Sequence, residues 1–457
     1  MASSIDNLIN VAFREGQDLS GFGLNVGGKG DYRPPQFDAE SLKFEYIDTN
    51  ESYGIDLNGS RFLQKLTFAE SQTFTRATTG TFVGSNGLIQ TAAIDAPRFT
   101  HDPVTREVQG LLVEEARTNL VLYSDQFENS VWSKAAVTVT ENEENAPNGT
   151  ATADKIFEKT DNAQHFLEQS GLPTSAGFYT QSIFLKAGTI EDCALSVVHL
   201  GEIVGTSTVN VNLSLGTISG ATRLIISTSI EELSNEWFRA SITYELTGAA
   251  TSVRMRVFAG LSSVRVGNTA NFIYIWGAQA EEGSFPTSYI PTAGTQVTRA
   301  ADACERVLGD EFNNEAFSYY YEFYFDKDKI TVSRYSPQFD FSTGNGRISF
   351  CFSGNGLVGA ALQIVRNDNS VNLSSIVANL TDKSFNKVSA SFTATQAIIC
   401  VNGTSSTFTL TGAFTNVDRL RLGDQHNLGR SNTIQKDFRL FPTALSEAEL
   451  IALTGSD

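Results

Sequence analysis

Hydrophobic and polar residues alternate with a period of two along most of this chain, in short runs broken by Gly, Asn, Asp and Pro. That pattern marks antiparallel strands joined by turns. The clearest run puts Phe317, Tyr319, Tyr321, Phe323 and Phe325 on one face, and Ser318, Tyr320, Glu322 and Tyr324 on the other. It predicts a strand with one fully aromatic, core-bound face and one mixed face. Runs of the same kind recur at 135–140, 181–185, 194–199, 208–215, 240–246, 253–258 and 271–275, and again at 347–352, 361–365, 386–392, 397–401, 404–410, 420–422 and 434–441. Asn402-Gly403 is a two-residue hairpin signal between two of them. Strands this short and this closely spaced predict two antiparallel sandwiches rather than a parallel sheet with crossover helices. The expected fold is therefore all-β, with an N-terminal arm carrying a short helix, followed by two jelly-roll-like sandwiches.

Helical periodicity is confined to the two ends. Ile5, Leu8, Ile9, Ala12 and Phe13 form one apolar stripe, which needs a surface to lie against because so short a helix is marginal alone. Either its own subunit or a neighbouring copy could supply that surface. At the other end Ser446 and Glu449 form a capping box ahead of Leu450, Ile451 and Leu453. Between the first helix and residue 70 the chain is turn-rich, with strand-like alternation around Leu42, Phe44 and Tyr46 and a turn at Asn58-Gly59. Gly23, Gly28 and Lys29 approach a phosphate loop, but Gly30 stands where Ser or Thr must hold magnesium, and Pro34-Pro35 forbid the helix that should follow. An extended arm is the better reading.

Residues 74–120 repeat later in miniature. Thr75-Arg76-Ala77 returns as Thr298-Arg299-Ala300, and Val113-Glu114-Glu115 is echoed by Ala280-Glu281-Glu282. These strings bracket the first sandwich and predict a collar that gathers its two ends and passes the chain to the second. Leu111, Leu112 and Val113 are expected to pack between modules or subunits. The resulting segmentation is 1–73, 74–125, 126–302 and 303–457.

Composition narrows the function. The chain is 457 residues long with a net charge of −18, 41% apolar and 18% charged residues. It carries no basic patch, so a nucleic-acid partner is not expected. No stretch reaches the roughly 18 apolar residues that cross a bilayer, and the N-terminus lacks the features of a signal peptide, so neither membrane insertion nor secretion is expected. Cys193, Cys304, Cys351 and Cys400 have no paired spacing and read as free thiols, with adjacent strands for Cys351 and Cys400 as the alternative. His101, His165, His199 and His426 show no metal-ligand spacing, and the G-x-S-x-G signature is absent. The E-x-D-x-E strand of sandwich-type glucanases is also missing. Asp326 and Asp328, flanked by Lys327 and Lys329, come nearest to it and read as a strand-to-turn boundary. Glu143-Glu144 and Glu281-Glu282 are adjacent, hence on opposite strand faces, and are expected to be solvated. Asp418, Asp424, Asn427 and Asp437 offer oxygen ligands for calcium, with Asp424 and Asn427 as the named candidates and ordinary turn roles as the alternative. Sugar recognition needs an exposed aromatic ring beside polar loop residues. Trp132, Trp237 and Trp276 are the large aromatics, each with core packing as its alternative. The polar loops are Arg366, Asn367, Asp368 and Asn369, and the stretch from Asp424 through Asn427 to Arg430.

The strings Phe74-Thr75-Arg76-Ala77-Thr78-Thr79-Gly80-Thr81, Pro97-Arg98-Phe99, Asp102-Pro103-Val104-Thr105, 110–120, 277–283 and 287–292 resemble a frame common in bacteriophage tail-fibre and receptor-binding proteins. The segment they enclose is similar to carbohydrate-binding-module jelly rolls, and the last module to concanavalin A-like, laminin G-like sandwiches. The resemblance spans about residues 74–456. It implies a virion protein, made in the host cytoplasm, that assembles as a homotrimer, with Ile5, Leu8, Ile9 and Phe13 in a region docked on other virion proteins and β modules facing host surface polysaccharide. On this resemblance the expected function is host-glycan attachment without enzymatic activity. A structural capsid, head or neck decoration and a depolymerase tailspike are the alternatives.

Overall fold

The computed structural model describes residues 42–46, 52–53 and 72–455, with short gaps at 202–204, 310–311, 330–333, 342–345, 354–358, 366–370, 379, 411–413, 415 and 426–428. The expected N-terminal helix and the arm around Gly23–Gly30 lie outside these residues. The fold is all-β, with strands in antiparallel pairing and the single α-helix Glu447–Thr454 among the described residues.

The central sandwich has two six-stranded sheets. One runs Val137–Glu144, Ala153–Glu158, Phe272–Glu282, Gly177–Ala187, Trp237–Leu246, Ile225–Glu232. The other runs Thr217–Ser219, Gly205–Asn212, Asp192–Leu200, Ser252–Phe258, Phe166–Leu172, Ser133–Ala135. Alternation decides which side chains meet between them. In Trp237–Leu246, Ala240, Ile242 and Tyr244 enter the shared core, while Arg239, Ser241 and Thr243 face outward. Trp132 belongs to that core, 1% exposed, with its ring 4.9 Å from Phe127 and its Nε1–H donated to the Tyr123 carbonyl.

Asp154 lies at the end of this core and is 1% exposed. Its carboxylate accepts the backbone N–H groups of Phe127 and Asn142 at 2.9 and 3.0 Å. Burial nonetheless dominates and pushes this carboxyl up to about 7 from its ordinary 3.8. A group whose folded pKa is raised contributes stability at low pH that is lost as pH climbs through the folded value. We expect Asp154 to withdraw roughly 2 to 4 kcal/mol between pH 3.8 and about 7. Urea midpoints for wild type and Asp154→Asn across that window test this. The variant should gain on the wild type as pH rises, and parallel curves would refute the assignment.

The C-terminal sandwich draws on more of the chain than residues after 303. One sheet runs Ser52–Tyr53, Leu42–Tyr46, Thr433–Phe441, Phe317–Phe325, Ser384–Phe392, Gln396–Val401, Thr404–Thr409, with Val108–Val113 also pairing with Thr433–Phe441 and Phe99–His101 with Val108–Val113. The opposite sheet ends in Val417–Arg421, Ala303–Val307 and Thr73–Thr75. The aromatic strand lies as its alternation predicts. Phe317, Tyr319, Tyr321, Phe323 and Phe325 are at most 1% exposed and pack on rings from both sheets, such as Phe392 at 4.7 Å and Phe352 at 5.1 Å. Tyr320, on the other face, is covered by the C-terminal helix, whose Ser446–Glu449 capping box is formed. Asn402 and Gly403 turn their hairpin with φ of 47° and 80°, as a type I′ turn requires.

None of the four cysteines forms a disulfide, and Cys351 and Cys400 sit on strands of different sheets rather than adjacent ones. Among the described residues no helix is long and apolar enough to cross a membrane.

Candidate functional site

The repeated strings of the frame converge on one buried ionic cluster. The Arg98 guanidinium donates to Glu114 Oε2 at 2.7 Å, to the Thr81 carbonyl at 2.9 Å, to Ser288 Oγ at 2.8 Å and to Asp302 Oδ2. Arg76 reaches Asp302 Oδ1 at 3.2 Å and the Ala93 carbonyl at 2.7 Å. Arg299 donates to the Glu115 carbonyl and lies 3.5 Å from Glu114. Arg76, Arg98, Arg299 and Asp302 are each no more than 1% exposed. Burial alone would raise the Glu114 carboxyl, but Arg299, Arg98 and two bonds from Ser288 outweigh it and hold the group well below the usual carboxylate range. Thr-Arg-Ala, Pro-Arg-Phe and Val-Glu-Glu are thus the pieces of a lock.

The lock closes over both ends of the central sandwich. Arg117–Asn119 pairs with Val297–Arg299, and the Asn119 side chain donates to the carbonyls of Ala278 and Ile290. Leu111 and Val113 are fully buried, inside the C-terminal core. Glu281 is buried rather than solvated, because the loop after Gly283 folds back and places Thr287 N–H and its hydroxyl on the carboxylate. Its neighbour Glu282 is exposed, as opposite strand faces require.

Beside the lock lies a cleft of about 410 Å³ between the two sandwiches. Its first wall is the outward face of the central sheet, where Arg239, Ser241 and Thr243 stand in register with Glu231, Ser229 and Ser227. Hydroxyls on this wall pair across strands, Ser229 with Ser241 at 2.6 Å, and Thr243 bonds the buried Thr180 behind it at 2.8 Å. Arg239 donates to Ser182 Oγ at 3.0 Å and lies over the Phe184 ring at 5.2 Å. The facing wall is the end of the aromatic strand, with Tyr324, Asp326 and Asp328, and Lys383 beside them. Asp328 is neutralised by Lys383 at 3.1 Å, while Asp326 Oδ1 accepts the Asp328 N–H. Burial, then Asp326, raises the half-buried Tyr324 hydroxyl above its ordinary pKa; Lys383 opposes this and Glu231 from the opposite wall adds to it. The cleft thus joins one partly open aromatic ring to a set of hydroxyl, carboxylate and guanidinium groups, the composition that stacks and hydrogen-bonds a sugar ring.

Of the residues expected from sequence to bind sugar, none among those described lines this cleft. Trp132 and Trp237 are 1% and 0% exposed and Trp276 is 2%, so none offers a ring face to a ligand. Each large indole was worth more in a core, and Trp237 spends its Nε1–H on the Asn145 carbonyl. Arg366, Asn367, Asp368, Asn369 and Asn427 lie outside the described residues, as do Ile5, Leu8, Ile9 and Phe13. Asp424 and Arg430 face each other in a two-residue strand pair, and Arg430 is half-buried. Of the other calcium candidates, Asp418 lies in Val417–Arg421, while Asp437 accepts from Arg439 at 2.7 Å. Among the described residues no three His, Cys, Asp or Glu side chains converge to hold a metal. His101, His165 and His199 are buried.

No family model and no curated protein matches the chain. Among solved structures it is similar to domain 4 of AbnA, a GH43 extracellular arabinanase from Geobacillus stearothermophilus, at 15% identity and a TM-score of 0.27, over 38% of this chain and 82% of that one. The CBM40 of the Ruminococcus gnavus IT-sialidase gives 16% and 0.25, over 31% and 85%. Mouse laminin alpha1 domains LG4-5 give 11% and 0.23, over 63% and 90%. Likeness at this level assigns no function.

Proposed function

We propose that this protein is a non-enzymatic glycan-binding component of a bacteriophage virion, a homotrimeric fibre or tail appendage that attaches to host surface polysaccharide and docks on other virion proteins through its N-terminal region. The observation that carries the glycan reading is the cleft between the sandwiches, with Tyr324 on one wall and the hydroxyl rows around Arg239 on the other. The virion reading is supported by the frame strings, whose arginines and acids build the lock between the two β modules.

The test is binding of the full chain to host cells and to immobilised host polysaccharide, with Tyr324→Ala as the comparison. Tyr324 is half-buried at a strand end, so its loss should leave folding intact and weaken binding about tenfold, the value of one stacked ring. The same preparation should scatter light as a trimer and release no new reducing ends from the polysaccharide. Equal binding by wild type and Tyr324→Ala would remove the cleft from the proposal, and a strict monomer would remove the trimer.

A further inference from the structure

We infer that the cleft selects uncharged glycans, whose ring hydroxyls bridge Arg239 to Glu231 and Asp326, over acidic or amine-bearing ones. The inference rests on the glycan-binding reading of the cleft and concerns its charge. Arg239 has no carboxylate partner among the described residues, its side-chain hydrogen bond being the one to Ser182. Glu231 stands directly across from it on the neighbouring strand, exposed and with no side-chain hydrogen bond of its own among the described residues. Cross-strand neighbours sit about 5 Å apart at Cβ and share one sheet face, so both groups face the cleft. From the other wall Asp326 adds a second carboxylate that forms no ion pair among the described residues, Lys383 pairing with Asp328.

The chemistry of the ligand follows from these groups. A sugar hydroxyl both donates and accepts, so neighbouring hydroxyls can take a hydrogen bond from the guanidinium and give one to a carboxylate, and charge-assisted bonds of this kind are the strong ones. An acidic sugar finds cations at Arg239 and at Lys383, the latter already held by Asp328, and meets the carboxylates of Glu231 and Asp326 beside them, on a chain of net charge −18. An amine-bearing sugar meets the reverse problem at Arg239 and Lys383. The Ser229 and Ser241 hydroxyls on the same wall as Arg239 extend this uncharged donor-and-acceptor surface.

The experiment is a binding panel with the full-length protein against dextran, mannan and galactan, against polygalacturonate and hyaluronate, and against chitosan, each at low and high salt. We expect at least one neutral polysaccharide to bind with little salt dependence, because hydrogen bonds to a neutral ligand are not screened as charge pairs are. The double variant Glu231→Gln/Asp326→Asn should weaken that binding about tenfold by replacing charged acceptors with neutral ones. Glu231 is exposed and Asp326 half-buried, and circular dichroism checks that the variant is folded. If an acidic glycan were the ligand, the same variant would bind more tightly and salt would weaken the complex; that result, or a preference for chitosan, overturns the inference while leaving the cleft a glycan site. Failure of the wild-type protein to bind any member of the panel overturns both.

Discussion

Asp302→Ala should lower the stability of the folded chain by about 3–5 kcal/mol, the largest effect expected of any single substitution in the frame. Asp302 is fully buried and receives two guanidinium groups, Arg76 on Oδ1 and Arg98 on Oδ2, together with the Glu114 backbone N–H at 2.8 Å. Removing it leaves two buried arginines with one carboxylate, Glu114, which Arg299 already shares. The cost is mainly that of stranding charge, so Arg76→Met in the Asp302→Ala background should recover part of it. A double-mutant cycle read by urea denaturation measures that recovery, and strictly additive losses would show that the pair is not coupled. The pH dependence has a definite sign. The folded-state pKa of Glu114 is depressed, so its contribution is complete above the ordinary carboxylate range and is lost only as acid drives the pH below it.

Such a cluster adds little net stability compared with well-packed apolar residues, and its value here is geometric. Its members come from five separate strings, around residues 76, 98, 114, 288 and 302, and the bonds are satisfied only when both sandwiches have delivered their ends. The frame strings were legible in the sequence because they repeat, yet their function was not. Arg and Glu in short runs read as surface charge, and only the closing of the chain over itself buries them.

The fold was legible from alternation alone, because a period of two leaves one face of each strand to meet a partner, as the aromatic strand shows. The binding face was harder to find. Trp132, Trp237 and Trp276 drew attention as the largest rings, but size is also what a core uses best, and all three are buried. The better signal lay in the same aromatic strand. Tyr324 is an outward-phase aromatic at a strand end, next to Asp326, where a ring is not needed for the core. Arg239 and Glu231 carried no such signal. Their pairing depends on the register of Ile225–Glu232 against Trp237–Leu246, and their meeting with Tyr324 depends on how the lock sets the two sandwiches together.

Trp132→Ala separates the two kinds of aromatic. The indole is 1% exposed, rests 4.9 Å from Phe127 and packs within the central core, so truncation should cost about 3–5 kcal/mol through lost burial and the cavity left behind. Loss of its Nε1–H also leaves the Tyr123 carbonyl without that donor. Trp132 does not line the cleft, so glycan binding per folded molecule should be unchanged at a temperature where the variant is still native. Tyr324→Ala should show the opposite profile, with stability near wild type and weakened binding. Denaturation midpoints set beside titrations of the same two proteins make the comparison. A Trp132→Ala protein that keeps its stability but loses its ligand would return the binding face to the indole and displace the cleft.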